Sequence, residues 1–457
     1  MPFVPEIAAV RFGTGLSPVI AAPASVDDMI ARLTGPDRAG ADFPIPLFAD
    51  ARPTPGHFRD LSRLRRDDDP AIAAAAQEEH DRLTARANAL RLATFGATLA
   101  RWAHTADGLR ERLVAFWANH FTVRSKSGFT AHLVTPFVEE AIRPNITGRF
   151  ADLLTAVITH PMMLAYLDQT DSMGPNSEAA QRRDRGLNEN LARELLELHT
   201  VGVDGPYDQD DVRQLAELLT GLGWDMDAGQ TVYRPTYAEP GAETVLDTTY
   251  PARADIATIR AALEGLAAHP ATARFIATKL VRHFIADTPP EALVATLETT
   301  FRDTDGDLLA VTSALLAHPL AWANTAAKVR TPFEFLTASL RALAVPPAVL
   351  IETDVRQSRR RFQIPLSVMG QPWEQAPGPD GWADEAAAWI TPQFMAGRID
   401  WAMRVPVTLL PDLPDPRDFV AAVLSPVPDP VAFAAAAAED RPTGVGVVLA
   451  SSAFQRR

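Results

Sequence analysis

Apolar residues recur at three- and four-residue intervals along most of the chain, the spacing that puts one apolar stripe on a helix. This pattern predicts helices over 71–121 (AIAAAAQEEHDRLTARANALRLATF, then LRERLVAFWANHF), 130–142, 148–159, 188–201, 208–220, 256–267, 271–286, 290–301, 306–317 and 331–343. Residues 1–60 read as one or two short helices joined by Pro/Gly-rich coil. The 38 prolines fall mainly between periodic segments, where they punctuate helices without breaking them. Beyond 346 the chain is richer in proline and tryptophan, with helices near 384–390, 394–404, 416–423 and 430–438. The expected fold is mostly α, a multi-helix globular bundle with long loops. It is a single unit over 1–457, with an N-terminal coil and helix segment (1–70), a helical core (71–345) and a Pro/Trp-rich helical tail packed on that core (346–457).

Two polar stretches, 168–187 and 224–255, are longer than ordinary connections, and loops of that length are usually functional or mobile. A small element recurs at His160-Pro161, His269-Pro270 and His318-Pro319. It reads as punctuation, with proline opening the next helix and histidine closing the previous one.

Charge narrows the range of partners. A net charge of -14 leaves no overall basic character for nucleic acid or anionic membranes as main partners. With no cysteine, disulfides, thiolate metal sites and cysteine nucleophiles are excluded. The opening MPFVPEIAAVRFGTG lacks the basic start and apolar core of a signal peptide. No apolar run reaches the ~20 residues of a membrane span. The cytoplasm is therefore the default expectation, with export as the passenger of another protein left open.

Several familiar motifs fail on inspection. Gly13 and Gly15 follow no buried strand and have no third glycine behind them, so they form no dinucleotide or phosphate loop. Asp303, Asp305 and Asp307 resemble a calcium loop, but Gly306 is out of place and Ala314 stands where the last acid belongs. Capping of the helix near Leu308 is the expectation there.

The most informative segment is NENLARELLELHTVG, Asn188 to Gly202. Glu194, Glu197 and His199 are all metal-ligating types. At ~100° per residue, however, Leu191, Ala192, Leu195, Leu196 and Leu198 share a face with His199. Glu189, Arg193 and Glu197 form an i, i+4, i+8 ladder on the other side, beside Glu194 and Asn190. One ion cannot reach all three ligands. The ladder is either a solvated salt-bridge row or the wall of a cleft covered by 168–187 and 224–255. Asn188 is expected to cap this helix and Gly202 to end it.

The same projection places His120 among Leu109, Leu113, Phe116 and Trp117. It places His283 with Phe275, Ile276 and Leu280, with Lys279 on that face. Three helices thus each carry an inward histidine, His120, His199 and His283. If they converge, they form a three-histidine site for a divalent metal with an open position, or an acid/base set with Lys279. If not, each is a core histidine hydrogen-bonded locally.

Several of these segments together resemble the domain of unknown function 1800 (DUF1800) family. They include AAVRFGTGLSP, LRLATFG, LRERLVAFWANHF, NENLARELLELHTVGVDGPYDQDDVRQLAELLTG and HPATARFIATKLVRHFIADTPP, then KVRTPFEFL, GQPWEQAPGPDGWADEAAAWITP and the closing AFQRR. The resemblance runs in order through nearly the whole chain. It implies a mostly helical bacterial protein of unassigned activity. It also implies a partner, because genes of this family often lie beside those of a sulfatase/phosphatase-like family that tends to carry a twin-arginine signal. Relatives usually have histidine where this chain has Ala118, a histidine and a lysine where it has Ala238 and Glu243, and at position 199 they can have phenylalanine.

Two functions follow as expectations. The first is an enzyme with a polar cleft along 188–200. Its expected catalytic residues are His120, Glu189, Arg193, Glu194 and Lys279, with Asn190 and Arg274 binding substrate. The missing histidines and lysine would make it a degenerate member if the family's chemistry uses them. The second is a non-catalytic partner or escort of the exported neighbour, docking through an apolar patch. The tail tryptophans Trp373, Trp382, Trp389 and Trp401 either build such a patch or pin the tail to the core.

Overall fold

The computed structural model describes residues 3–126, 128–182, 186–252, 254–323 and 328–457. The protein is 62% helical and 4% strand, a mostly α fold. Side-chain caps set the helix starts. Asp69 accepts a hydrogen bond from the Ala71 amide and Pro70 takes the first position of α1 (Pro70–His104). The N-terminal half of α1 is largely exposed and packs on helix Pro55–Leu64 through Phe58, Leu83 and Ala87. Its C-terminal half is buried. Asp107 caps α2 (Gly108–His120), which is buried on nearly every side.

The segment singled out in the sequence is α3 (Asn190–Glu194), which runs on into a π turn, Leu195–His199. Asn188 Oδ1 accepts from the Asn190 amide at 2.9 Å, and Gly202, at φ +89°, closes the element by donating to the Leu196 carbonyl. The wider turn keeps His199 buried and leaves Leu198 partly exposed. After α4 (Gln209–Leu218) come two hairpins that helical periodicity does not reveal. β1 (Leu222–Asp225) pairs antiparallel with β2 (Gln230–Tyr233), and β3 (Glu243–Val245) with β4 (Thr248–Tyr250). The second turn places Leu246 and Asp247 at φ +47° and +64°, the geometry of a tight two-residue hairpin without its usual Asn-Gly signal.

α5 (Pro270–Phe284), α6 (Pro332–Ala342) and α7 (Pro392–Arg404) complete the frame. The larger apolar core collects residues from Ala8 to Trp322, α2 and α5 among them. A second core packs Phe95, Leu99 and Ala103 of α1 against α6, α7 and helix Arg441–Ala450. α6, grouped with 71–345 on sequence, thus shares its core with the tail. Among the described residues, no helix is long and apolar enough to cross a membrane.

The His-Pro elements do punctuate: His269 and His318 close the preceding helix through their amides, which donate to the Leu266 and Leu315 carbonyls, and all three histidines also cap the helix that follows. Nδ1 of His160, His269 and His318 accepts from the amides of Met162, Ala271 and Leu320 at 3.1, 3.1 and 3.2 Å. Each is an N-cap with proline at the first helical position. Asp307 caps the helix at Leu308, as its position predicts.

Candidate functional site

The expected ladder exists and is a surface feature. Arg193 donates to Glu189 at 3.0 Å, Glu197 at 3.4 Å and Gln209 at 3.1 Å, all partly exposed. Asn190 is exposed. The stretches 168–187 and 224–255 do not roof this row. They are stapled to each other, with the Gly174 and Ala179 amides donating to the Tyr237 and Thr236 carbonyls and the Glu239 carboxylate accepting from Asn176. Residues 183–185 lie outside the described residues. Arg274 faces away from α3 and pairs with Glu291 at 2.7 Å and Glu298 at 3.2 Å. The cleft expected along 188–200 is therefore not formed by these residues. A solvated row satisfies Glu189, Arg193 and Glu197.

Glu194 and Lys279 differ from that row. Neither forms a hydrogen bond or ion pair among the described residues. Burial, aided by Glu197 and Asp380, raises the Glu194 pKa. The Asp380 charge acts in the raising direction on Glu194, Lys279 and Tyr166 alike.

The three inward histidines do not converge on one point. His120 and His199 are neighbours, with ring centres 5.9 Å apart, and His120 Nε2 donates to the His199 carbonyl at 3.1 Å. Burial and the nearby Lys279 hold both imidazoles neutral, with the His199 pKa pushed down to about 3. The Phe116 ring separates them from His283, its centre lying 6.3 Å from that of His120 and 5.2 Å from that of His283. His283 has no nitrogen to offer a metal. Arg112 can only donate, so its 3.0 Å contact makes Nε2 of His283 the acceptor. Nδ1 therefore carries the proton and donates it to Asp384 at 2.7 Å. Among the described residues, no group of three histidines or carboxylates is arranged to hold a metal ion.

His283 and Asp384 instead belong to a chain of buried charge. Arg112 pairs with Glu334, Glu334 accepts from Arg457 at 2.9 Å, and Arg457 donates to the His283 carbonyl at 2.8 Å. Lys328 bonds Asp287 and the Asp384 carbonyl. Burial alone would raise the Asp384 carboxyl, but the His283 hydrogen bond and the cations Lys328 and Arg457 hold it far below the usual range. Burial also lowers the Arg112 pKa, yet its ordinary value is so high and Glu334 so close that it stays charged.

This chain forms one end of a pocket of about 240 Å³. Glu111, Val114, Ala115, Ala118 and Asn119, one stripe of α2, together with Thr122 two positions past its end, make the floor. Segment 371–384 roofs it. The side chain of Asn119 donates to the Trp382 carbonyl at 2.9 Å and accepts from its amide at 2.7 Å. Gly381, at φ +80°, lets the roof approach so closely, since a Cβ there would sit 2.5 Å from the Asn119 carbonyl. Trp102, Phe333, Trp373 and Trp382 give the walls an apolar character. At the far end Arg143 binds Glu111 at 2.6 Å and Arg101 binds Glu139 at 2.6 Å.

Glu374, also in the lining, has no such strong partner. It accepts from Thr135 at 2.5 Å and from Arg91 at only 3.4 Å. Burial raises its pKa despite both contacts. Its backbone is left-handed, at φ +56°, a conformation a non-glycine residue adopts only when its surroundings enforce it. Of the residues expected to form a site, only His283 lines this pocket. The Pro/Gly-rich run GQPWEQAPGPDGW was the available signal, because a stretch that polar with two tryptophans needs a surface to cover.

The model of a family described as a protein of unknown function, DUF1800, matches residues 8–456. The chain belongs to the DUF1800 family. No curated protein and no solved structure matches it. Two positions at which the family resemblance implies a different residue now have places. Ala118 lies on the pocket floor. Glu243 opens the β3 strand and is buried beside Glu217 and Glu239, which with burial push its pKa up to about 7.

Proposed function

We propose that this DUF1800 member is an enzyme acting on a small, mainly apolar molecule held between α2 and segment 371–384, with Glu374 as the proton-transfer group. One observation carries the reading. A buried carboxyl with raised pKa, on strained backbone, faces an aromatic-walled pocket, and buried groups of that kind concentrate at functional sites. A carboxyl that holds its proton more tightly than usual is suited to exchanging it with a substrate oxygen or nitrogen. The Arg–Glu pairs at either end would orient a polar substituent. The Asp384–His283–Arg112 chain holds the wall and leaves His283 no free nitrogen for proton transfer.

The test is a thermal-shift screen of small apolar alcohols, esters and amides against the parent chain and Ala118→Trp, which fills the floor. Ligands at about 100 times Kd add about 2.7 kcal/mol of stability, and this gain should vanish in the folded A118W variant. Turnover of a hit should then be lost in Glu374→Gln with binding retained. Equal shifts in both proteins, or full turnover by E374Q, would refute the reading.

A partner role has its own support. Exposed apolar side chains occur at Ile364 and Val368 of helix Ile364–Val368 and, on α7, which contacts that helix, at Ile399 and Met403. Exposed Arg356, Arg359 and Arg360 stand beside them on an otherwise acidic protein. Charge complementarity favours an acidic protein as the occupant, and the sulfatase/phosphatase-like neighbour is the first candidate. Co-purification that survives in the parent and fails in an Arg356/Arg359/Arg360→Glu variant would support it; unchanged binding by that variant would exclude this face.

A further inference from the structure

Nearly all the cationic side chains of this chain are arginines. There are 40 arginines and three lysines, Lys126, Lys279 and Lys328. Two of the three have carboxylate partners. Lys126 is exposed and pairs with Asp168 at 2.7 Å, and Lys328 is buried against Asp287. Lys279 forms no hydrogen bond or ion pair among the described residues. Its Nζ lies 5.4 Å from the centre of the Phe275 ring, at the edge of the core that holds His120 and His199. A guanidinium there would serve as well for charge alone, but it could never offer a lone pair at neutral pH.

We propose that Lys279 is a nucleophilic amine that condenses with an aldehyde or ketone whose apolar part lies against Phe275. The Nζ lone pair adds to the carbonyl carbon. The two amine protons leave with the carbonyl oxygen as water, and the product is a Schiff base. The surroundings favour the free amine. Burial and Arg282 disfavour the ammonium, Asp384 and Asp380 partly restore it, and the balance brings its pKa down to about 8. Burial and the charge of Lys279 keep His120 and His199 uncharged. At pH 7 about a tenth of such an amine is unprotonated, against roughly one part in several thousand for an ordinary lysine. This site is separate from the pocket under segment 371–384, and neither reading depends on the other.

The experiment treats the full chain with propanal and cyanoborohydride at pH 7 and follows each lysine peptide by mass spectrometry. The expected result is alkylation of Lys279 about tenfold faster than of Lys126, although Lys126 is the more exposed. That preference should narrow by pH 10, where ordinary lysine amines become reactive as well, and vanish in denaturing urea. Lys279→Arg should lose the fast phase and keep the slow one. Equal rates at pH 7, or a preference that persists in urea, would overturn the proposal.

Discussion

Glu243 offers a sign and a size that can be checked. It is 5% exposed and begins the hairpin that docks on α4, where the Thr244 and Leu246 amides donate to Gln214 and Asp211. Burial, then Glu217 and then Glu239 raise its pKa from an ordinary 4.5 to about 7, while Arg213 pulls the other way. At about 1.36 kcal/mol for each tenfold change in proton affinity, this corresponds to about 3 kcal/mol. Proton sharing with Glu217 and solvent screening at the hairpin edge reduce it to about 1–2 kcal/mol. The direction follows from linkage. Below pH 4.5 the group is protonated folded and unfolded, and the cost is absent. Between 4.5 and 7 the folded state holds the extra proton, so stability falls as pH rises; above 7 the full cost remains. Glu243→Gln keeps a donor toward Glu217 and removes the charge. In urea unfolding it should match the parent near pH 4 and exceed it by about 1–2 kcal/mol at pH 8. Glu243→Lys should gain at pH 8 as well. A Gln variant no more stable than the parent at pH 8, or a gap that does not change with pH, would refute the reasoning.

Other perturbations separate structural from functional groups. Glu334→Ala leaves Arg112 and Arg457 buried without their shared carboxylate and should cost about 3–5 kcal/mol in urea unfolding; a loss below about 1 kcal/mol contradicts the network. Arg274→Ala breaks only exposed pairs and should change stability by less than about 1 kcal/mol, with no effect on ligand-induced thermal shifts. Asn119→Ala removes both bonds to Trp382 and should increase hydrogen exchange in 380–384 before anything else; unchanged protection there would show that the roof is held by other means.

Helical periodicity made most of the fold legible, because one-sided apolar stripes dominate it. At three of the places where it failed the reason is identifiable. Arg441–Ala450 (RPTGVGVVLA) is glycine-broken and β-branched, so packing with α7 sets its helix more than propensity does. The β3–β4 turn uses Leu246 and Asp247 at positive φ in place of glycine. The π turn after Glu194 departs from 100° per residue, which moves Leu198 out of the face projected for it. The pocket was hidden for a related reason. Ala115, Ala118 and Asn119 are covered by a segment more than 250 positions away in sequence, a pairing no local pattern reveals. Conversely, the acids and arginine of 188–200 look like chemistry and satisfy one another at the surface.

The buried charge chain has a consequence for how the molecule comes apart. Arg112 and His283 sit at the edge of one apolar core, Glu334 and Arg457 at the edge of the other, and Asp384 in the segment that spans them. Opening the second core by itself would leave a guanidinium on the first with no counter-charge, a state disfavoured by several kcal/mol. The two cores therefore gain or lose order together. A chain long enough for two independently melting bodies should show one transition, and partly unfolded forms that expose apolar surface should be correspondingly rare.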